Sequence, residues 1–147
     1  MFDNVTPSAA KPSRRVVDWR MKVLVLFGTR PEVIKLAPVI HELRKKFFQT
    51  IVVSSSQHKQ LLKPFLEALE VDVDFDLAVM KRDQSPTEVC SRILAKLDKI
   101  LASEQPDLIL VQGDTTTTLA GALAGFYRRI PVGHVEAGLR SGNAMSP

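Results

Sequence analysis

Two carboxylates stand out because of where the chain delivers them. Asp114 closely follows the apolar run Leu108-Ile109-Leu110-Val111, and Glu136 directly follows Pro131-Val132-Gly133-His134-Val135. Both runs read as strands, so each carboxylate sits at a strand end. Strands adjacent in sequence are neighbours in about two-thirds of cases, which would put the two acids in one crevice. Carboxylates held close push each other's pKa apart, and that suits proton transfer. A capping Asp114 and a salt-bridged Glu136 fit the same spacing, so position alone leaves both readings open.

Three segments add chemistry. In Gly28-Thr29-Arg30-Pro31-Glu32 a glycine exit leads into a helix start, whose free N–H groups and partial positive charge suit an anion. Arg30 and Lys35 add cations there, as substrate-binding candidates. The segment is neither G-x-G-x-x-G nor a P-loop, so NAD and P-loop ATP binding lack their usual marker. Gln112-Gly113-Asp114 is followed by four threonines, suited to a helix entry where hydroxyls cap free N–H groups. In His134-Val135-Glu136 the two polar residues share a strand face. A deaminase would pair H-x-E with P-C-x-x-C, but Cys90 is the single cysteine. Two ligands without a third make a poor metal site. No metal and no cofactor is expected. Gly138 and Gly142 bracket Arg140 in a loop where backbone can approach a ligand. His58 reads as a cap or surface residue, His41 as surface, and Cys90 as small core.

These residues need a frame, and the pattern supplies one. Strand-like runs at 22–27, 50–53, 74–80, 107–112 and 131–135 alternate with helical spacing at 31–46, 58–69, 86–101 and 115–128. Pro38 inside the first helical stretch predicts a kink or a late start. Ser85-Pro86-Thr87-Glu88 is a capping box with proline at the first helical position. The alternation predicts an α/β fold: a Rossmann-like parallel sheet with helices on both faces. Right-handed crossovers then put all strand C-termini on one edge, where ligands bind in such sheets. Five loops reach that edge, at 28–32, 54–58, 80–85, 113–117 and 136–142.

Composition narrows the class. The chain has 147 residues, 45% of them hydrophobic, and can hold one core. Its formal charge is +4. Five basic and two acidic residues in the first 22 account for +3 of that. The body is nearly neutral, which argues against a nucleic-acid or membrane-surface partner. Residues 1–20 show no apolar periodicity and no secretory hydrophobic stretch, so they read as a disordered leader. Met21, directly before the first strand, is a second candidate start.

Taken in order, Gly28-Thr29-Arg30-Pro31-Glu32 with Lys35-Leu36-Ala37-Pro38, then Gln57-His58, then Gly113-Asp114-Thr115-Thr116-Thr117, then Gly133-His134-Val135-Glu136-Ala137-Gly138-Leu139-Arg140 resemble the N-terminal half of the non-hydrolysing UDP-N-acetylglucosamine 2-epimerases. The resemblance implies one half of a GT-B-type enzyme with two Rossmann-like domains. It implies interconversion of UDP-N-acetylglucosamine and UDP-N-acetylmannosamine, by elimination of UDP to 2-acetamidoglucal and re-addition. It implies Asp114 and Glu136 as catalytic carboxylates, and Arg30 and Lys35 as contacts to the nucleotide-sugar. Gln57, His58 and Gln60 resemble a region where some members bind an activating second substrate molecule. Asp83 stands where those members carry an arginine.

The same resemblance implies a cytoplasmic enzyme of polysaccharide biosynthesis, a homodimer at full length. It makes residues 21–147 an N-terminal domain without its second domain, and an inactive fragment when isolated. The alternatives are a hydrolysing relative that releases N-acetylmannosamine, a GT-B glycosyltransferase, and a non-catalytic binding module.

Overall fold

The computed structural model describes residues 21–46, 48–56, 59–143 and 145. The expected leader at 1–20 lies outside them, as do Gln57 and His58. Nine elements follow in order: β1 (Lys22–Phe27), α1 (Arg30–Lys45), β2 (Gln49–Ser54), α2 (Lys59–Ala68), β3 (Phe75–Asp76), α3 (Pro86–Glu104), β4 (Leu108–Gln112), α4 (Thr116–Arg128) and β5 (Val132–Val135).

The strands form one sheet in the order β3-β2-β1-β4-β5, and every pairing is parallel. Period-two alternation splits the core between its faces. Leu24, Leu26, Ile51, Val53, Ile109 and Val111 pack with α3 and α4. Val23, Val25, Phe27 and Val52 pack with α1 and α2, against Val33, Leu36, Ile40 and Leu62. Full burial of a side chain such as Phe27 or Leu36 contributes about 1.5–3 kcal/mol relative to exposure. This is the Rossmann-like sheet expected, with helices on both faces.

Local chemistry sets the helix ends. Ser85 caps α3 by accepting from the Glu88 amide at 3.3 Å, while Glu88 accepts from the Ser85 amide at 2.7 Å. Val89, Ile93, Leu97 and Leu101 form its buried face. Helix α4 lies close against the sheet because two of its residues have no side chain. A Cβ on Gly121 would sit 2.8 Å from Leu26 and Val111, and one on Gly125 would sit 2.4 Å from Val132. Asp98 of α3 clamps Arg128 of α4 at 2.6 Å.

Two expectations change. Helix α1 starts at Arg30, so the late start does not occur, and it continues past Pro38 to Lys45. The carbonyl that loses its partner belongs to Ile34, which is exposed, so water can replace the missing bond. The strand expected over 74–80 shrinks to Phe75–Asp76. The Asp76 side chain accepts from the Ala78 amide at 2.9 Å, and Ala78 takes a positive φ of 45°, which ends the regular strand, while the Leu77 and Val79 amides still donate to the Ser54 and Ser55 carbonyls.

Candidate active site

The C-terminal ends of β4 and β5 lie side by side, with Gln112 paired to Val135 in register. A cavity of about 570 Å³ opens there, and Lys35, Asp114, His134, Glu136 and Arg140 are among the residues lining it. The two carboxylates picked from sequence thus share one wall. Neither is sealed in apolar packing. Asp114 is exposed, and the Glu136 side chain is about one-third exposed.

Glu136 is held on two sides. The Lys35 ammonium and the Gln112 side-chain amide both donate to its Oε2. Gln112 is buried at the end of β4, so its amide is fixed by packing. Lys35 reaches over from the second turn of α1. Glu136 also has a positive φ of 62°. For a residue with a Cβ that conformation costs roughly 1–2 kcal/mol, and such strain clusters at functional sites. Its polar contacts help hold the residue in that conformation.

Asp114 stands differently. Among the described residues no hydrogen bond or ion pair holds its carboxylate. The N-cap of α4 is Thr115, which accepts from the Thr118 amide at 3.2 Å. Asp114 is therefore released from the capping role that spacing alone allowed. Its loop is fixed through backbone instead. The His134 ring donates from Nε2 to the Gly113 carbonyl at 2.6 Å, and the Gly113 amide donates to Val135 at 3.2 Å. Gly113 has φ +72°, which a glycine adopts without strain.

Among the predicted binding residues, the structure brings Lys35 into the cavity. Arg30 is not on its wall: the guanidinium carbon sits 5.2 Å from the centroid of the Phe65 ring in α2, a cation–π contact. Gln60 falls in the first turn of α2. Among the described residues no group of three or more His, Cys, Asp or Glu is placed to hold a metal.

Sequence reasoning weighed His134 only beside Glu136 as a metal or deaminase pair, and it did not single out Gln112 or Glu32 as working residues. Glu32 carried a readable signal, since Thr29-Arg30-Pro31-Glu32 is the same box spacing as Ser85–Glu88. Gln112 and His134 carried none, because their partners lie on other elements.

A family profile described as UDP-N-acetylglucosamine 2-epimerase matches residues 41–147. The chain belongs to this family. It is 54% identical over 128 residues to the UDP-N-acetylglucosamine 2-epimerase of Escherichia coli K12, covering 86% of this chain and 34% of that protein. It is 50% identical over 129 residues to the Bacillus subtilis 168 epimerase, covering 87% and 34%. The crystal structure of the Neisseria meningitidis epimerase bound to UDP-GlcNAc superimposes with a TM-score of 0.82 at 50% identity, covering 86% of this chain and 34% of that one. The chain therefore spans about a third of the length of these epimerases. Among the described residues no helix is long and apolar enough to cross a membrane.

Proposed function

We propose that this chain supplies the catalytic wall of an enzyme that interconverts UDP-N-acetylglucosamine and UDP-N-acetylmannosamine. The observation that carries this reading is that Asp114 and Glu136 line one cavity together with Lys35. The Neisseria relative bound to UDP-GlcNAc supports it.

Carbon 2 of the sugar has no ring carbonyl beside it, so its proton is hard to remove directly. Elimination offers a route. One carboxylate takes the carbon 2 proton, the anomeric C–O bond breaks, and its electron pair departs with UDP. The product, 2-acetamidoglucal, stays in the cavity. UDP oxygen then adds back to the anomeric carbon, and carbon 2 receives a proton on the opposite face. Two carboxylates on one rim provide a proton acceptor and a proton donor. Asp114 has no partner to displace. Glu136 is oriented by Lys35 and Gln112. Lys35 and Arg140 bring positive charge towards the departing diphosphate. Arg30, stacked on Phe65 beside the same sheet edge, adds to that field from outside the cavity.

By itself the 147-residue chain does not turn over in this reading. Full-length members would be cytoplasmic homodimers. The exposed apolar stripe of α4, with Leu119, Phe126 and Tyr127, is the face suited to such pairing.

The test is a chimera in which this chain replaces the matching third of the Escherichia coli relative. In D2O it is expected to interconvert the two UDP-sugars and place deuterium at carbon 2. Transfer to an acceptor without that deuterium would point to a glycosyltransferase. Release of free N-acetylmannosamine would point to the hydrolysing reaction.

A further inference from the structure

Among the described helices, α1 and α3 each open on a capping box, with different outcomes. At the start of α3, Glu88 is exposed and its carboxylate bonds only to its own cap residue, Ser85. At the start of α1, Glu32 is 1% exposed and is the only charged residue buried among the described residues. Its Oε2 accepts from the Gly28 amide at 2.7 Å, the Thr29 amide at 2.6 Å and the Thr29 hydroxyl at 2.9 Å. Its Oε1 accepts from the Thr115 hydroxyl at 2.5 Å, 83 residues away, and from the Thr118 hydroxyl at 3.5 Å. Every partner donates. Burying a carboxylate costs solvation that an exposed cap never loses, so a local cap does not explain the arrangement. The second oxygen does, because it reaches another element.

We propose that Glu32 is a positioning residue that locks the two site-forming loops together. On one side it fixes the turn from which α1 carries Lys35. On the other it holds Thr115, next to Asp114 and the cap of α4. The spacing between the ammonium and the free carboxylate is then set from beneath by one buried group. Glu32 touches no reacting atom. Its catalytic consequence rests on the function proposed above, whereas the mechanical link does not.

Amide hydrogen exchange on the 147-residue chain tests the link. Glu32→Ala is expected to speed exchange of the Gly113 and Thr118 amides by about tenfold, with Leu24 and Ile109 unchanged. Thr118 reaches Glu32 through its own hydroxyl and through Thr115, whereas Gly113 has no bond to Glu32, so its amide reports coupling carried through the loop. Thr115→Val is expected to act in reverse and speed exchange at Gly28 and Thr29. Glu32→Gln keeps an acceptor for the turn and is expected to restore most protection there. Should Glu32→Ala fail to fold, the valine and glutamine variants carry the test. Uniform acceleration across the strands would overturn the proposal, as would acceleration confined to the mutated loop. In the chimera, Glu32→Gln is expected to lower kcat by about tenfold with KM within about threefold, as for a misplaced catalytic group. An unchanged kcat would overturn the positioning role. A chimera that is inactive without any mutation would refute the proposed function and leave the exchange result standing.

Discussion

The Lys35 ammonium and the Glu136 carboxylate form an ion pair across 101 residues of sequence. It joins the first helix to the end of the last strand. Both side chains are partly exposed, so the pair adds little stability, at most about 1 kcal/mol. Its value lies in placement: it sets a cation and an anion at fixed positions on one cavity wall.

Removing either carboxylate should therefore cost activity rather than stability. In the chimera, Asp114→Asn and Glu136→Gln are each expected to slow epimerisation by about 10²–10⁴-fold. Thermal melting should barely move. A variant that keeps near-normal turnover would remove that residue from the proton-transfer chemistry.

Lys35→Met leaves Glu136 with only its Gln112 contact. The lost cation is expected to lower kcat/KM by about tenfold or more, through weaker stabilisation of the departing diphosphate and a less fixed Glu136. Steady-state kinetics on the chimera check this. An unchanged kcat/KM would remove Lys35 from both roles.

Close approach of α4 to the sheet predicts a packing cost. A Cβ at Gly125 would meet the Val132 side chain at 2.4 Å and the Ile130 carbonyl at 3.1 Å. Gly125→Ala is expected to lose about 1–3 kcal/mol to overpacking, partly offset by about 1 kcal/mol of helix propensity. Urea unfolding of the chain measures the net. A raised midpoint would contradict the close approach.

Acid should weaken the α3 scaffold. The Ser85 amide and hydroxyl hold the Glu88 carboxyl below its ordinary value of 4.5, and the Arg128 guanidinium holds Asp98 below 3.8. A depressed folded-state pKa gives stability that is present above the unfolded value and lost as pH falls through the folded one. Melting temperature is expected to drop as pH falls below about 4.5. Glu88→Gln should flatten part of that drop, and an unchanged pH profile in this variant would show that the cap contributes nothing.

The α4 stripe predicts self-association. Phe126 and Tyr127 are 75% and 70% exposed, with ring centroids 5.8 Å apart. Phe126→Ser with Tyr127→Ser is expected to shift the chain towards monomer in light scattering. A monomeric unmutated chain at the same concentration would remove the stripe from any pairing.

Much of this was legible in the chain itself. Alternating runs gave the parallel sheet, because a strand buried on both faces must be continuously apolar, as Leu108–Val111 is. The Ser85 box marked the start of α3, since capping is a local transaction within four residues. Asp114 and Glu136 could be placed at strand ends for the same reason. Local turns and cross-element contacts refined the rest. The stacking of Arg30 on Phe65 joins residues of two helices, and spacing could not show it. The strand expected over 74–80 is cut short by the local Asp76–Ala78 turn, because a side chain bonding two residues on competes with the ladder.

The order of residues thus determined the layers, the strand edge and the acids that reach it, because periodicity and capping act over a few neighbouring positions. Tertiary structure alone decided which oxygen each donor reaches. Lys35 and Gln112 meet on Glu136, and Glu32 joins two loops, because folding closes separations of 24 to 101 residues that no local pattern encodes.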